Sequence, residues 1–146
     1  MSDRNGLEAV YRRTDYVVHL AGGELVLHIG VADPAADERL RGEAGCVRRW
    51  ALVTPCNPRS RPLTVSENSR RHDEFRAELD ALRVRSAPAV GRDPDGQWDD
   101  ERGFLLLDPA EGLAVFLALE WEQNAIVVGE LGAAPELMWD DENCPA

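Results

Sequence analysis

The chain has 146 residues, no lysine, and 27 acidic against 16 basic residues, giving a formal net charge of −11. This length suits one domain with its own hydrophobic core, and the excess of acid disfavours nonspecific binding to nucleic acids or anionic membranes. No apolar run reaches the roughly 18 residues of a membrane-spanning helix, and the first residues lack the apolar core of a signal peptide.

A β-hairpin is predicted over residues 11–30. Apolar and polar residues alternate before and after Gly22-Gly23, which is typical of two strands joined by a tight glycine turn. A two-residue turn at these glycines pairs Leu20 with Leu25.

Two helices carry local start signals. Asp33-Pro34 begins the first, which runs to about residue 43 and ends before Gly45. Thr64 and Glu67 form a capping box that begins the second, ending near residue 82. Spacings of three and four residues predict its buried stripe at Phe75, Leu79 and Leu82.

The rest of the chain alternates apolar segments with turns. Strands are predicted at 47–53, 84–90, 103–108 and 125–129, and a central, almost wholly apolar helix at 110–122. Pro88 removes a backbone donor, so the strand around it is expected at a sheet edge or a bulge. The segment 93–101 is predicted to be an exposed acidic loop.

These elements predict an α/β fold with an α+β-like mixed sheet. An N-terminal hairpin is followed by alternating helices and strands, with about three helices packed on a single layer of sheet. We expect one cytoplasmic domain over residues 1–146, with an ordered core at about 10–138 and an acidic tail at 139–146.

The most informative segment is the proline-rich loop between strand 47–53 and the capped helix. It carries Thr54, Asn57, Arg59 and Ser60, while Asn68 and Arg71 lie on the inward face of the helix that follows. Free backbone N–H groups, the helix dipole and guanidinium donors favour an anion site here. Gln123 and Asn124, at the end of the apolar helix, are predicted to complete the pocket.

The same side chains could instead be purely structural. Asn57 and Ser60 can close turns, and Asn68 and Arg71 can satisfy loop carbonyls that would otherwise be buried without partners. Glu101, just before a predicted strand, could supply a carboxylate base or be an ordinary solvated loop acid, and Asn124 could be a left-handed helix cap. The sequence leaves these alternatives open.

Metal, cofactor and thiol chemistry find little support. His19 and His28 share one face of the hairpin without a third ligand, so no metal site is expected. Phosphate-binding and dinucleotide-binding glycine motifs are absent, so no cofactor is expected. Cys46, Cys56 and Cys144 lack the spacing of a zinc site, and Cys56 in the loop is expected to be a small buried filler rather than a nucleophile.

The loop and helix motifs resemble a known family. The chain looks like a member of a bacterial domain-of-unknown-function family, number 3293. The resemblance rests on Thr54-x-x-Asn57-Pro58-x-Ser60, on Asn68 and Arg71, and on residues 123–127 (QNAIV). The resemblance extends over roughly residues 10–137. It implies bacterial origin, a small α/β architecture and a shared site at these motifs, and it transfers no activity.

Two functions of different classes remain. The first is the binding of a small anionic ligand, such as a nucleotide or carboxylate, at the 54–71 junction. Whether the protein also processes that ligand is left open. The second is a non-enzymatic interaction module, in which the acidic 93–101 loop and the C-terminal tail engage a basic protein, with Trp98 as the apolar anchor. The sequence supplies no reaction.

Overall fold

The computed structural model describes residues 4–140, which form four α-helices and a seven-stranded sheet. The helices are α1 (Arg4–Arg13), α2 (Pro34–Ala44), α3 (Val65–Ala81) and α4 (Leu113–Glu120). The strands are β1 (Asp15–Leu20), β2 (Gly23–Leu27), β3 (Arg49–Val53), β4 (Ser86–Arg92), β5 (Glu101–Leu107), β6 (Ala125–Glu130) and β7 (Glu136–Trp139). A 3₁₀ turn spans Pro58–Ser60. None of the described helices is long and apolar enough to cross a bilayer.

Every pair of neighbouring strands in the sheet is antiparallel, so the prediction of a mixed sheet is wrong. The strand order is β2-β1-β4-β5-β3-β6-β7. Helix α3 joins β3 to β4, a connection that suggests a parallel pair when read from sequence. The two strands are not neighbours, however, because β5 lies between them and pairs with both.

The predicted hairpin is confirmed in part as β1 and β2, but residues 11–13 belong to α1 and the register is shifted. Leu20 pairs with Gly23, and Val18, not Leu20, pairs with Leu25. The turn therefore lies one residue earlier, because Gly23 already belongs to β2. A shift of two residues leaves the same side chains facing the core. The hairpin is not the first element, since α1 precedes it.

Local capping signals predicted α2 and α3 well. The Asp33 carboxylate accepts a hydrogen bond from the Ala36 N–H at 3.1 Å, and Gly45 ends α2 at φ 72°. The Thr64 hydroxyl accepts from the Glu67 N–H at 3.1 Å, while the Glu67 carboxylate accepts from the Thr64 N–H at 3.0 Å. Each helix begins at its own cap because these bonds join residues three apart.

The prediction of an edge strand around Pro88 is wrong. Strand β4 lies inside the sheet, between β1 and β5. Its ladder with β1 runs from Arg92 only as far as Ala89, so Pro88 falls just beyond that pairing. A proline is tolerated in an interior strand where the ladder on one side has ended.

The apolar segment 110–122 forms a shorter and more exposed helix than predicted. Only Leu117 and Ala118 of α4 are buried, while Phe116 is 56% exposed. The helix therefore lies on the sheet surface rather than in a central position. The sequence analysis also missed β7, which pairs with β6 at the sheet edge.

Two hydrophobic clusters lie on opposite faces of the sheet, since successive strand residues alternate between the faces. The first contains Trp50 and Leu105 with Leu40 of α2, and Tyr11 of α1 packs against it. The second contains Phe104 and Leu106 with helix residues Phe75, Leu79 and Leu117. Leu82, predicted to extend the α3 stripe, is 49% exposed because α3 has ended at Ala81.

Candidate functional site

The loop after β3 has an unusual backbone. Asn57, Arg59 and Ser60 have φ values of 49°, 52° and 59°, three left-handed non-glycine residues within four positions. Asparagine adopts this conformation more easily than arginine or serine. Such a conformation persists only where surrounding contacts hold it, and such residues cluster at ligand sites.

Asn57 and Asn68 hold the loop against the start of α3. The Asn57 N–H donates to the Asn68 Oδ1 at 3.0 Å, and the Asn68 Nδ2 donates back to the Asn57 Oδ1 at 2.8 Å. The Asn57 Oδ1 also accepts from the Leu63 N–H at 2.9 Å. The sequence analysis placed both residues at this junction, and the structure brings their amides together.

Arg71 and Gln123 tie the loop to the end of α4. The Arg71 Nε donates to the Pro55 carbonyl at 2.6 Å, and its Nη2 donates to the Trp121 carbonyl at 2.9 Å. Gln123 is 5% exposed, and its Nε2 donates to the carbonyls of Cys56 at 3.0 Å and Trp121 at 3.1 Å. Both side chains therefore satisfy backbone carbonyls at the ends of two elements.

Ser60 and Asn124 meet at the surface of the loop. The Asn124 Nδ2 donates to the Ser60 Oγ at 2.8 Å. Asn124 is not the left-handed residue after α4, since that conformation falls on Glu122 at φ 58°. Its amide is instead directed to the loop. Burial, followed by the negative charge of Glu101, raises the pKa of Tyr11 in α1 to about 12, and an interaction with the Ser60 side chain opposes this rise.

Arg59 is one of the exposed cations of the loop. Its N–H donates to the Glu122 carbonyl at 2.6 Å, which holds the left-handed backbone in place. Its guanidinium forms a salt bridge with the carboxylate of Asp140 and reaches the Gln123 carbonyl at 3.4 Å. The side chain remains 40% exposed.

Glu101 is a carboxylate that contacts the network directly. It is half-buried at the first position of β5, so it does not belong to the exposed loop in which the sequence analysis placed it. Its Oε2 accepts from the Asn57 Nδ2 at 2.5 Å. Burial raises the pKa of Glu101 above its usual range, although the Asn57 hydrogen bond opposes this effect. A partly buried carboxyl group with a raised pKa beside a polar loop is a candidate member of a functional site.

Thr54 and Cys56 fasten the loop to β5. The Thr54 hydroxyl donates to the Arg102 carbonyl at 2.7 Å and accepts from the Cys56 N–H at 3.1 Å. Cys56 is 4% exposed, and its Sγ lies 3.4 Å from the Arg102 carbonyl oxygen. Burial raises the pKa of this thiol, which disfavours the nucleophilic thiolate and agrees with its expected role as a buried filler.

The two hairpin histidines contact carboxylates rather than each other. The His28 Nε2 lies 2.7 Å from Asp15 Oδ1, and the His19 Nδ1 lies 3.9 Å from Glu24 Oε2. Within residues 4–140, no three His, Cys, Asp or Glu side chains are grouped so as to hold a metal ion.

All eight predicted site residues lie in or against the loop. Those that hold it through internal hydrogen bonds are Thr54, Asn57, Asn68, Arg71 and Gln123, while Arg59, Ser60 and Asn124 are the polar groups nearer its surface. The sequence analysis missed Tyr11 and Asp140. Tyr11 could have been found from the helical spacing of residues 7, 10 and 11. The pairing of Asp140 with a residue 81 positions away has no local signal.

The fold and the network define a small α-and-β protein with a polar loop joining β3, α3, β5 and the end of α4. A family model described as "Protein of unknown function (DUF3293)" matches residues 53–126. This match covers just over half of the chain, which therefore belongs to that family. The matched segment contains all eight predicted site residues, from Thr54 to Asn124. No curated protein and no solved structure matches the chain.

Proposed function

We propose that the protein binds a small anionic ligand, one bearing a carboxylate or phosphate, on the surface of the loop at residues 57–60. The observation that carries the proposal is the salt bridge in which the Arg59 guanidinium holds the Asp140 carboxylate. An arginine placed to receive one carboxylate can receive another of the same shape. Ser60 and Asn124 lie next to it and supply a hydroxyl and an amide for the rest of the ligand.

The remaining polar side chains position this surface. Asn57, Asn68 and Arg71 use their donors on loop carbonyls, on each other or on Glu101. We therefore assign them to holding the left-handed backbone of Arg59 and Ser60, with Thr54 and Gln123 in the same role. This division follows from exposure, because Arg59 and Ser60 are exposed to solvent, whereas Asn57, Asn68 and Arg71 are only partly exposed and Gln123 is buried.

The test is a thermal-shift screen with nucleotides, sugar phosphates and small carboxylates, followed by calorimetric titration of each hit. Arg59→Ala should abolish the shift. Arg61→Ala is the matched control, since Arg61 is an exposed arginine two residues further along the same loop. Asp140→Asn should strengthen binding by about fivefold, since it removes an internal competitor worth up to ~1 kcal/mol.

Two results would contradict this proposal. If Arg61→Ala weakens binding as much as Arg59→Ala, the loop attracts anions only through its overall charge. If no compound stabilises the parent or the Asp140→Asn variant, the network serves only to support the fold.

A second candidate function is binding of a basic protein through the acidic 93–101 loop. It is favoured by Trp98, which is 42% exposed between acidic residues. The Arg13 guanidinium lies 5.6 Å from the Trp98 ring centroid, so a cation already occupies one face of this indole. The test compares how much partner protein is retained on columns that carry the parent or the Trp98→Ala variant. Equal retention on the two columns would eliminate this candidate. The predicted contribution of the tail cannot be placed beyond Asp140, since residues 141–146 lie outside the described part of the chain.

A further inference from the structure

A concave site lies at the opposite end of β3 from the proline-rich loop. The loop follows the last residue of β3, Val53, whereas this cavity is lined by the first residue of the strand, Arg49, and by the last residue of β6, Glu130. Its volume is about 360 Å³. At about 30 Å³ for each water, this space holds about a dozen water-sized groups, within the range of small-ligand pockets.

The walls of the cavity are apolar. Ala51, Val128 and Met138 rise from neighbouring strands on one face of the sheet, and Ala114 of α4 closes the side. Helix α4 has only eight residues, so it leaves this part of the sheet incompletely covered. Val128 and Met138 consequently stay half-exposed although they continue the buried cluster. An apolar group placed here would complete that cluster.

The rim of the cavity is acidic. Glu111, Glu130 and Glu136 line it, against the single cation Arg49. Arg49 lies directly opposite Glu130 in the β3–β6 register, yet its Nη2 donates to the Pro109 carbonyl at 3.1 Å. None of the three carboxylates has a hydrogen-bond or ion-pair partner among residues 4–140. The nearby carboxylate of Asp108 is different, since it accepts three backbone N–H groups and the Arg85 guanidinium.

We infer that this cavity binds a small amphipathic cation, a protonated primary amine carrying a short aliphatic or aromatic tail. The apolar walls accept the tail, and the carboxylates on the rim accept the ammonium group. Unpaired carboxylates around an apolar cavity disfavour an anion and favour a cation over a neutral molecule of the same shape. The ligand is thus opposite in charge to the one proposed for the loop, and the two sites are independent.

The experiment is a ¹⁵N-resolved NMR titration at pH 7 with three probes of one tail length: n-hexylamine, 1-hexanol and hexanoate. Hexylamine should give saturable shifts at the backbone amides of Gly129 and Ala133, with at least about fivefold tighter binding than hexanol. Hexanoate should bind most weakly. Glu130→Gln should weaken hexylamine binding by about twofold to fivefold, the range expected for one exposed ion pair. Glu74→Gln, a matched change on the exposed face of α3, should leave binding unchanged.

Three outcomes would overturn the inference. Equal binding of hexanol and hexylamine would show an apolar cavity with no preference for a cation. Equal weakening by Glu74→Gln and Glu130→Gln would show general attraction to an acidic protein. A well-dispersed spectrum with no shift at the cavity amides would show that no amine enters. Because Glu130 is exposed, the Gln variant is expected to fold, and its own spectrum checks this.

Discussion

Replacing Asn57 by alanine should destabilise the protein more than a half-exposed loop residue ordinarily does. The side chain donates to the Glu101 carboxylate at 2.5 Å and accepts from the Leu63 N–H at 2.9 Å and the Asn68 Nδ2 at 2.8 Å. The backbone at this position has φ 49°, a conformation that alanine adopts with more strain than asparagine. The substitution therefore removes three hydrogen bonds and strains the chain at one position.

The expected loss follows from these contributions. Each of the two neutral hydrogen bonds is worth about 1 kcal/mol, and the one to a carboxylate is worth about 2 kcal/mol. The left-handed conformation costs an alanine about 1 kcal/mol. The free energy of unfolding should fall by about 4–5 kcal/mol, which for a domain of this size lowers Tm by about 15 °C.

The assay is urea denaturation followed by far-UV circular dichroism, with the slope m compared between variants. Asn57→Gly is the matched control, because it removes the same hydrogen bonds but relieves the left-handed strain. It should retain about 1 kcal/mol more stability than Asn57→Ala, even though glycine has the more flexible unfolded chain. A loss below about 1 kcal/mol for Asn57→Ala would refute the network argument. A glycine variant no better than alanine would refute the strain argument.

Three further predictions concern other parts of the molecule. A methyl group on Gly129 would lie 2.1 Å from the indole ring of Trp50, which is opposite it in β3, so Gly129→Ala should lower the free energy of unfolding by about 3 kcal/mol. A methyl group on Gly42, which is exposed in α2, would have no neighbouring atom within 4 Å. Gly42→Ala should therefore raise the free energy of unfolding by about 0.5–1 kcal/mol in the same urea assay. A hydrogen bond to Glu78, together with burial and the charge of that residue, raises the pKa of Glu120 to about 7. The folded state therefore holds a proton that the unfolded chain releases above the ordinary glutamate pKa of about 4.3. The stability that this Glu78–Glu120 pair contributes should be lost as pH rises from about 4.3 to 7. A flat NMR titration of the Glu120 carboxyl carbon between those pH values would refute this prediction. Cys56 should react with iodoacetamide at least about tenfold more slowly in the native protein than in urea, because the buried thiol must first be exposed. Peptide mass spectrometry measures the two rates, and equal rates would show that the loop opens freely.

The candidate site was only partly predictable from sequence. The helical period placed Asn68 and Arg71 on the side of α3 facing the loop, and the structure brings both against it. The partners that complete the network lie far along the chain, as with Glu101 for Asn57 and Asp140 for Arg59. No periodicity connects positions 44 or 81 residues apart, so the roles of these acids could not be read from sequence.

The chain by itself determined the elements whose ends depend on near neighbours. Helix α2 begins after Asp33 and ends before Gly45, and the Thr64–Glu67 capping box begins α3. Each of these signals acts within a few residues. Tertiary structure decided the rest. The antiparallel strand order, the interior position of Pro88 and the exposure of Phe116 depend on which strands become neighbours and on how much of the sheet the short α4 can cover. The physical reason is that capping bonds join residues three or four apart, whereas sheet order and burial are set by contacts between segments distant in the chain.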